Sequence, residues 1–354
     1  MIDTHIRNVM FDLASRREMF DEALGRNITN AEADDAIRRV CFETLGLSAT
    51  SSDKQIRRAL SKDSAIALFE IIEEIVDVRI NYGLGEDNFF NQFVETRNLK
   101  DGDANEFWAE SDILLNVTKV SGSHHDLSIQ TLGEGEAYTV PTSYYGVRVG
   151  NDIRLFLTGK KNWSQFIDAV SRAYINKMAT EVAAQFVNGT NLIAAPSVLS
   201  GTGAFSSTTK PKFDEIIEKV ESANNAPVAI MGTKTALKNL NLLAGVGGVD
   251  WVSASQKESV AATGFLGSYE GTKLIQIPQK FADKSLTTAI VPANKLFVMP
   301  LVDDEKPIKL VDYGETEFTK EQIGDTMDDL QTYEVQRRFG VGTLMTRYHG
   351  VWTL

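Results

Sequence analysis

Cysteine and histidine are scarce in this chain of 354 residues, which contains one cysteine, Cys41, and four histidines. A single cysteine cannot form a disulfide within the chain and cannot build a cysteine-based zinc site. A Ser-His-Asp triad would need one of the four histidines beside a nucleophile, and the sequence has no Gly-x-Ser-x-Gly elbow to present a serine. The sequence therefore predicts no cofactor, no metal site and no enzymatic activity.

Long apolar runs and an excess of positive charge are also missing. No stretch approaches the ~20 apolar residues that span a bilayer, and charges interrupt the first residues, where a signal peptide needs a continuous apolar segment. We therefore expect a protein that is made and kept in a cytoplasm without membrane contact. The formal net charge is -12. Proteins that bind DNA usually carry a basic surface, which this chain lacks. If the protein lies beside nucleic acid, we therefore expect it to contain the nucleic acid rather than bind it.

The chain is rich enough in apolar residues to fold into one large or two medium domains, because 43% of it is hydrophobic and 24% is charged. Residues 1–85 carry apolar residues at helical spacing, interrupted by helix-capping signals such as Thr29-x-x-Glu32. Residues 86–110 are polar and aromatic without a clear period, which is typical of an extended arm. Residues 1–110, nearly a third of the chain, are thus predicted to be a helical segment followed by an arm.

Residues 111–150 show the alternation of β-strands, with a turn at 121–123 and an acidic, glycine-containing segment at 133–136. The clearest helix follows over residues 163–188, where apolar residues lie along one face and Asn188-Gly189 is expected to end it. Its single apolar face predicts that it lies against a sheet rather than within a bundle.

The C-terminal half alternates short helices and strands, so the predicted fold class is α+β. Apolar runs predict strands near 228–231, 274–277, 289–291 and 296–299. Residues 245–263 begin with Gly245-Val246-Gly247-Gly248 and are predicted to form a flexible loop, since this run lacks the Lys-Ser/Thr pair of a phosphate-binding loop. The ending is predicted to be an antiparallel pair, 332–339 and 344–351, joined at residues 340–342.

The order of these segments resembles the major capsid proteins of tailed bacteriophages with the Hong Kong 97-type fold, from residue 86 to the end. Four phrases carry the resemblance: Asp152 to Gly159 leading into Trp163, the motif Gly264-x-Leu266-Gly267-x-Tyr269-x-Gly271, Val291 to Phe297, and Glu334 to Gly342. The first 85 residues lie outside the shared core. In that family such a segment is often a scaffold that is removed, so its role is left open.

The resemblance implies a division of the chain into six parts. They are an N-terminal helical segment (1–85), an N-arm (86–110), an extended β-hairpin or E-loop (111–150), a peripheral domain with the spine helix 163–188 (151–210), an axial domain (211–315) and a return to the peripheral domain (316–354). The hairpin is expected to lie on an adjacent subunit, because an isolated two-stranded ribbon is marginally stable in water.

The resemblance also implies the function and the partners. The chain would be a structural subunit of an icosahedral capsid that assembles in the host bacterial cytoplasm into pentamers and hexamers around double-stranded DNA. Its other partners would be a portal, scaffold or decoration proteins, and DNA contacted non-specifically. The alternative with the same fold is the shell of an encapsulin-like protein compartment, and an α+β enzyme is the third class considered.

Seven residues are candidates for contacts between subunits. Adjacent histidines on a strand point to opposite faces, so His124 and His125 are better explained by a hairpin tip or subunit contact than by a metal. Arg337 and Arg338 also point to opposite faces, and one of them is expected to meet a neighbour's carboxylate, with Glu134 or Glu136 as its partner. Trp251, in the predicted glycine-rich loop, completes the set.

Overall fold

The fold is α+β, as predicted, and consists mainly of two sheets with a long helix beside them. The computed structural model describes scattered residues between 20 and 84, and then 88–100, 102–109, 135–150, 163–243, 253–282, 285–302, 305–321 and 332–354. Residues 111–134 of the predicted hairpin and residues 245–252 of the predicted flexible loop lie outside the described residues.

The helices and strands are numbered here in chain order. The α-helices are α1 (Asn88–Phe93), α2 (Trp163–Leu192), α3 (Lys210–Asn224), α4 (Lys234–Lys238) and α5 (Ala254–Thr263), with 3-10 turns at Ser197–Leu199 and Asn239–Leu243. The strands are β1 (Phe20–Asp21), β2 (Arg26–Asn27), β3 (Val94–Asn98), β4 (Phe107–Ala109), β5 (Glu136–Tyr138), β6 (Ser143–Gly150), β7 (Ser200–Thr202), β8 (Val228–Gly232), β9 (Ser268–Tyr269), β10 (Thr272–Gln276), β11 (Lys295–Pro300), β12 (Ile308–Glu321), β13 (Thr332–Thr343) and β14 (Gly350–Thr353).

A four-stranded sheet, ordered β3-β12-β13-β6, is built around the long antiparallel pair β12–β13. β3 runs parallel to β12, and β6 runs antiparallel to β13. The short strands β4 and β5 form a separate antiparallel ribbon, here called the β4–β5 ribbon, at the base of the predicted hairpin. Of the predicted hairpin, 111–150, the structure describes residues 135–150, which supply β5 to this ribbon and β6 to the four-stranded sheet.

The long helix α2 packs one face against the four-stranded sheet. Val170, Tyr174, Met178 and Phe186 recur at helical spacing and are all buried in the main core. At 1.5 Å per residue its 30 residues span about 45 Å. The predicted helix is thus confirmed, but it ends at Leu192 rather than at Asn188-Gly189.

A six-stranded sheet has the order β7-β14-β11-β8-β10-β9 and contacts the C-terminal half of this helix. One face joins the main core, where the rings of Phe186 and Phe297 meet edge to face with centroids 5.1 Å apart. The other face packs against α3 and α4 around Phe213, Leu237 and Trp352. The strand β8 is buried along its whole length, as its unbroken apolar run predicts.

The predicted antiparallel pair at the C-terminus is wrong. Residues 340–342 do not form a turn but lie inside β13. This strand pairs with β6 and with β12, and the sequence analysis did not predict β12. A Cβ at Gly340 would lie 2.2 Å from the carbonyl oxygen of Pro141, so this glycine permits close backbone approach. The final strand β14 belongs to the six-stranded sheet, between β7 and β11.

Two further local predictions need correction. The predicted flexible loop contains the helix α5, which begins with a capping box in which the side chains of Ser253 and Gln256 each accept a backbone N–H of the other residue. Ala289 forms only an isolated bridge with Phe281, so the predicted strand 289–291 does not form. In addition, β12 crosses the predicted domain boundary at 315/316.

Candidate functional site: a buried ionic network and an exposed aromatic face

The most unusual side chain in the described structure is Arg337, which projects from β13 into the main core and is 1% exposed. It lies between Val335 and Phe339 on the buried face of the strand, at a position where the alternation predicts an apolar residue. A buried guanidinium is costly unless carboxylates and hydrogen bonds compensate it.

Asp312 supplies the main compensation from the neighbouring strand. Its Oδ1 accepts from Arg337 Nε at 3.0 Å and its Oδ2 accepts from Arg337 Nη2 at 2.6 Å, a bidentate pair. Asp312 stands at a bulge, because the register of β12 on β13 shifts between Asp312 and Thr316. Gly314 lies within the bulge with a φ of 70° and donates its N–H to Asp312 Oδ1 at 3.2 Å.

The second carboxylate comes from the N-terminal helical segment. Asp77 Oδ1 accepts from Arg337 Nη1 and from the hydroxyl of Thr316, and its Oδ2 accepts the backbone N–H of Thr316 at 3.3 Å. Arg337 Nη1 also donates to Thr316 Oγ1 at 2.9 Å. Asp77, Asp312, Thr316 and Arg337 are called the buried ionic network below.

Tyr174 joins the long helix to the same sheet beside this network. Its hydroxyl donates to the carbonyl oxygen of Val335 at 2.5 Å and to that of Tyr145 at 3.2 Å. Burial raises the pKa of Tyr174 to about 12, so the phenol stays neutral and remains a donor at physiological pH.

The charges of the network are coupled. Burial by itself would lower the pKa of Arg337, but the hydrogen bonds and charges of Asp312 and Asp77 raise it above its ordinary value. Burial raises the pKa of Asp77, against the opposing effect of Arg337 and Thr316. Two carboxylates and one guanidinium thus tie the N-terminal segment, the bulge of β12 and β13 together. The network is suited to fixing a geometry, and it presents no activated nucleophile.

The opposite face of the four-stranded sheet is partly open and carries Arg338. Its guanidinium lies 4.1 Å from the ring centroid of Tyr313 and 5.6 Å from that of Tyr144, and its Nε donates to Thr142 Oγ1 at 3.1 Å. Tyr144 is 65% exposed. Tyrosine and arginine on an accessible face are the residue types enriched at protein interfaces. Arg338, Tyr313 and Tyr144 are called the aromatic face below.

The β4–β5 ribbon presents a second exposed aromatic residue, Trp108, which is 64% exposed. A Cβ at Gly135 would lie 2.4 Å from Trp108 Nε1, so the indole packs closely over this glycine. Glu136 is exposed on the same ribbon.

The predicted subunit-contact residues have different outcomes. The structure pairs Arg337 with Asp77 and Asp312 of its own chain, so Arg338 is the one of the two arginines for which the predicted contact with a neighbour stays a prediction. Arg338 and Glu136 lie on accessible surface, as such a contact requires. The remaining candidates, His124, His125, Glu134 and Trp251, lie outside the described residues.

Sequence reasoning missed most of the network. Asp312 interrupts the apolar alternation that begins with Ile308 and Leu310, which is the one local sign of a buried polar position. Nothing local points from it to Asp77, which is 260 residues from Arg337 in the sequence. Over the described ranges no group of histidine, cysteine or carboxylate side chains is arranged to hold a metal, and no helix is long and apolar enough to cross a bilayer.

Comparison with known proteins places the chain beside capsid proteins. A sequence model of the family described as "SPbeta prophage-derived putative capsid protein YonB" matches residues 7–353. No curated protein matches the chain.

Several solved structures are similar at low sequence identity. The mature capsid of bacteriophage PhiM1 is 11% identical, with a TM-score of 0.48 over 76% of this chain and 87% of that chain. The capsid of a native GTA particle is 12% identical, with a TM-score of 0.48 over 74% of this chain and 88% of that chain. The virus-like particle from Pyrococcus furiosus is 10% identical, with a TM-score of 0.39 over 79% of this chain and 98% of that chain.

Proposed function

Since the chain belongs to the family of the SPbeta prophage-derived capsid protein YonB, we propose that its copies form the pentamers and hexamers of an icosahedral phage shell around double-stranded DNA. The chain is a structural capsid subunit of the Hong Kong 97-like class. The match over residues 7–353 carries this conclusion, because it includes the N-terminal segment as well as both sheets. The encapsulin-like alternative is not favoured, since the matching family is that of a prophage capsid protein.

The division into an axial and a peripheral domain is part of the proposal. We assign the six-stranded sheet with α3, α4 and α5 to the axial domain and the four-stranded sheet with α2 to the peripheral domain. The pairing of the strands supports this division, because strands that are distant in the sequence, such as β7 and β14 or β3 and β12, come together within one sheet. The boundary then follows the sheets, so that β12 stays whole and β14 returns to the axial sheet.

Contacts between subunits are proposed to use the aromatic face. Arg338 is half-buried on its own sheet, and the acidic stem of the hairpin presents Glu136 to solvent. A neighbour's Glu136, or Glu134 beside it, is proposed to approach Arg338 and lie over Tyr144. Opposite charges across an interface fix its register more than they add affinity.

The chain is proposed to have no enzymatic role, and the portal, scaffold or decoration proteins and DNA are its proposed partners. The net charge of -12 supports a wall that contains DNA without binding it tightly. Assembly in the cytoplasm of the host bacterium is likewise a proposal.

Charge reversal tests the proposed contact. Glu136→Arg and Arg338→Glu, expressed separately, are expected to lower the yield of assembled particles, whereas the double variant restores it because the pair is re-formed with its signs exchanged. Glu218→Arg is the matched control, since Glu218 is an exposed carboxylate on α3. Equal yields for the two single variants and the control would refute this contact.

Particle contents test the choice between a genome shell and a compartment. Sedimented particles from a cell in which the phage replicates are expected to contain double-stranded DNA that survives nuclease treatment. Particles filled with a cellular enzyme and free of DNA would contradict the proposal and support the compartment.

A further inference from the structure

The surface between the long helix and the four-stranded sheet is covered by the N-terminal segment of the same chain. The described residues between 73 and 84 are helical. Val76 and Ile80 are 0% exposed, Leu84 is 6% exposed, and all three belong to the main core. Their spacing of four residues places them on one face of a helix. This face is directed at the core, as in an integral element of a domain.

Polar contacts attach this helix to two different elements. Asp77 binds Arg337 and Thr316 in the sheet, as described above. Arg79 forms an ion pair with Asp168 in the long helix, and the Arg79 side chain is 10% exposed. Since an arginine and an aspartate two residues apart reach different partners, the helix is fixed in rotation and in position along its axis.

Close packing supports the same conclusion. A Cβ at Gly83 would lie 2.5 Å from Ile175 Cδ1 of the long helix, so the absence of a side chain lets the two helices approach. Phe42, Leu45 and Ala59, further towards the N-terminus, are buried in the same core. The contact therefore extends over much of the segment.

We infer that the N-terminal segment from residue 76 onward is a permanent part of the folded subunit and is retained by every copy in the assembled shell. The sequence left open whether this segment is a removable scaffold. Its removal would expose to solvent the apolar core residues that Val76, Ile80 and Leu84 cover, and it would remove the ion pair between Arg79 and Asp168. The statement about shells rests on the proposed capsid function, whereas the statement about the folded subunit does not.

The first test maps the protected part of the chain. Particles made by the 354-residue chain are treated with trypsin, and the N-termini of the subunits that remain assembled are read by mass spectrometry. Every remaining subunit is expected to begin before residue 76. Intact particles whose subunits begin after residue 76 would overturn the inference.

Substitutions give the second test, with a control on the same helix. Ile80→Asp puts a charge at a fully buried position and is expected to remove soluble, cooperatively unfolding protein and all particles. Asn81→Asp changes the adjacent, exposed residue and is expected to leave both unchanged. A milder variant, Gly83→Val, is expected to fold with a lowered melting temperature. Normal melting of both Ile80→Asp and Gly83→Val would refute a core role for this helix.

The outcomes separate this inference from the proposed function. A chain that forms no particles but yields a tryptic core beginning before residue 76 would support the inference and count against the capsid proposal. Particles built from subunits that begin at Asn88 would support the capsid proposal and overturn the inference.

Discussion

Replacing Arg337 by methionine is the sharpest test of the buried ionic network. The guanidinium uses four of its five N–H donors on Asp312, Asp77 and Thr316. Methionine fills a similar volume but removes the charge. Asp312, which is 1% exposed, then keeps only the N–H of Gly314 among the donors described above. Removing one partner of a buried ion pair costs about 3–5 kcal/mol, because the other charge is left uncompensated.

Arg338→Met is the matched control, since it changes the adjacent residue on the opposite face of the same strand. It removes the cation–π contact with Tyr313, worth about 0.5–1 kcal/mol at an accessible site, and the weaker contacts with Tyr144 and Thr142 at the partly open surface. The two variants should therefore differ by at least about 2 kcal/mol in the free energy of unfolding. A difference of this size changes the folding equilibrium by a factor of about 30.

Urea unfolding of the unassembled subunit measures this difference. Tryptophan fluorescence, to which the buried Trp352 contributes, and near-ultraviolet circular dichroism, to which the buried Tyr174 contributes, both report the loss of tertiary packing. The midpoint should fall for Arg337→Met with little change in slope. Adding Asp312→Leu should recover part of the loss, because removing both charges costs less than removing one. An Arg337→Met midpoint equal to that of Arg338→Met would refute the reasoning.

Three further predictions concern single positions. Gly340→Ala should lower the free energy of unfolding by about 1–3 kcal/mol, because the added Cβ meets the backbone of Pro141. Gly146→Ala is the control and should be neutral, because its Cβ would have its nearest contact at 3.6 Å. Equal melting temperatures of the two variants would contradict this account. Ser253→Ala should destabilise helix α5 locally by about 1 kcal/mol, because it removes the capping side chain. Amide hydrogen exchange should become faster in the first turn of α5 and stay the same in the rest of the chain. Unchanged exchange in that turn would argue against the capping box. Burial lowers the pKa of His349 below its ordinary 6.5, so between these two pKa values the unfolded chain binds a proton that the folded chain does not bind. The free energy of unfolding should therefore decrease as the pH falls from 6.5 to the lowered pKa. His349→Phe should remove this part of the pH dependence, and an unaltered pH profile would contradict the reasoning.

Periodic features were predictable from sequence because one local pattern specifies them. Val170, Tyr174 and Met178 recur at helical spacing, and the helix they predict is present. The unbroken apolar run from Val228 predicts a strand, and β8 follows it. The α+β class, the long helix and the buried strand β8 followed from these local patterns.

Glycine gave the wrong prediction twice, because a turn and a close approach look the same in sequence. Gly189 lies inside the long helix, where a Cβ would meet Thr343 Cγ2 at 2.4 Å, and Gly340 lies inside β13 against Pro141. In both places the missing side chain serves a neighbour that is distant in the sequence. The end of the helix and the supposed C-terminal turn were therefore misplaced.

The buried ionic network could not be predicted because it depends on register and on distant partners. Asp312 pairs with Phe339 and reaches Arg337 diagonally, while the bulge between Asp312 and Thr316 brings Thr316 opposite Arg337. Asp77 joins them from a helix in the first quarter of the chain. A one-residue slip in either strand would turn these side chains to the opposite face of the sheet.

Electron microscopy of the chain expressed alone, with its mass measured by size-exclusion chromatography, tests the central claim most directly. The account predicts closed shells, tubes or capsomer rings built from many copies of the chain. A well-behaved monomer or dimer at every concentration, with or without a co-expressed scaffold, would contradict the conclusion that this chain builds a capsid.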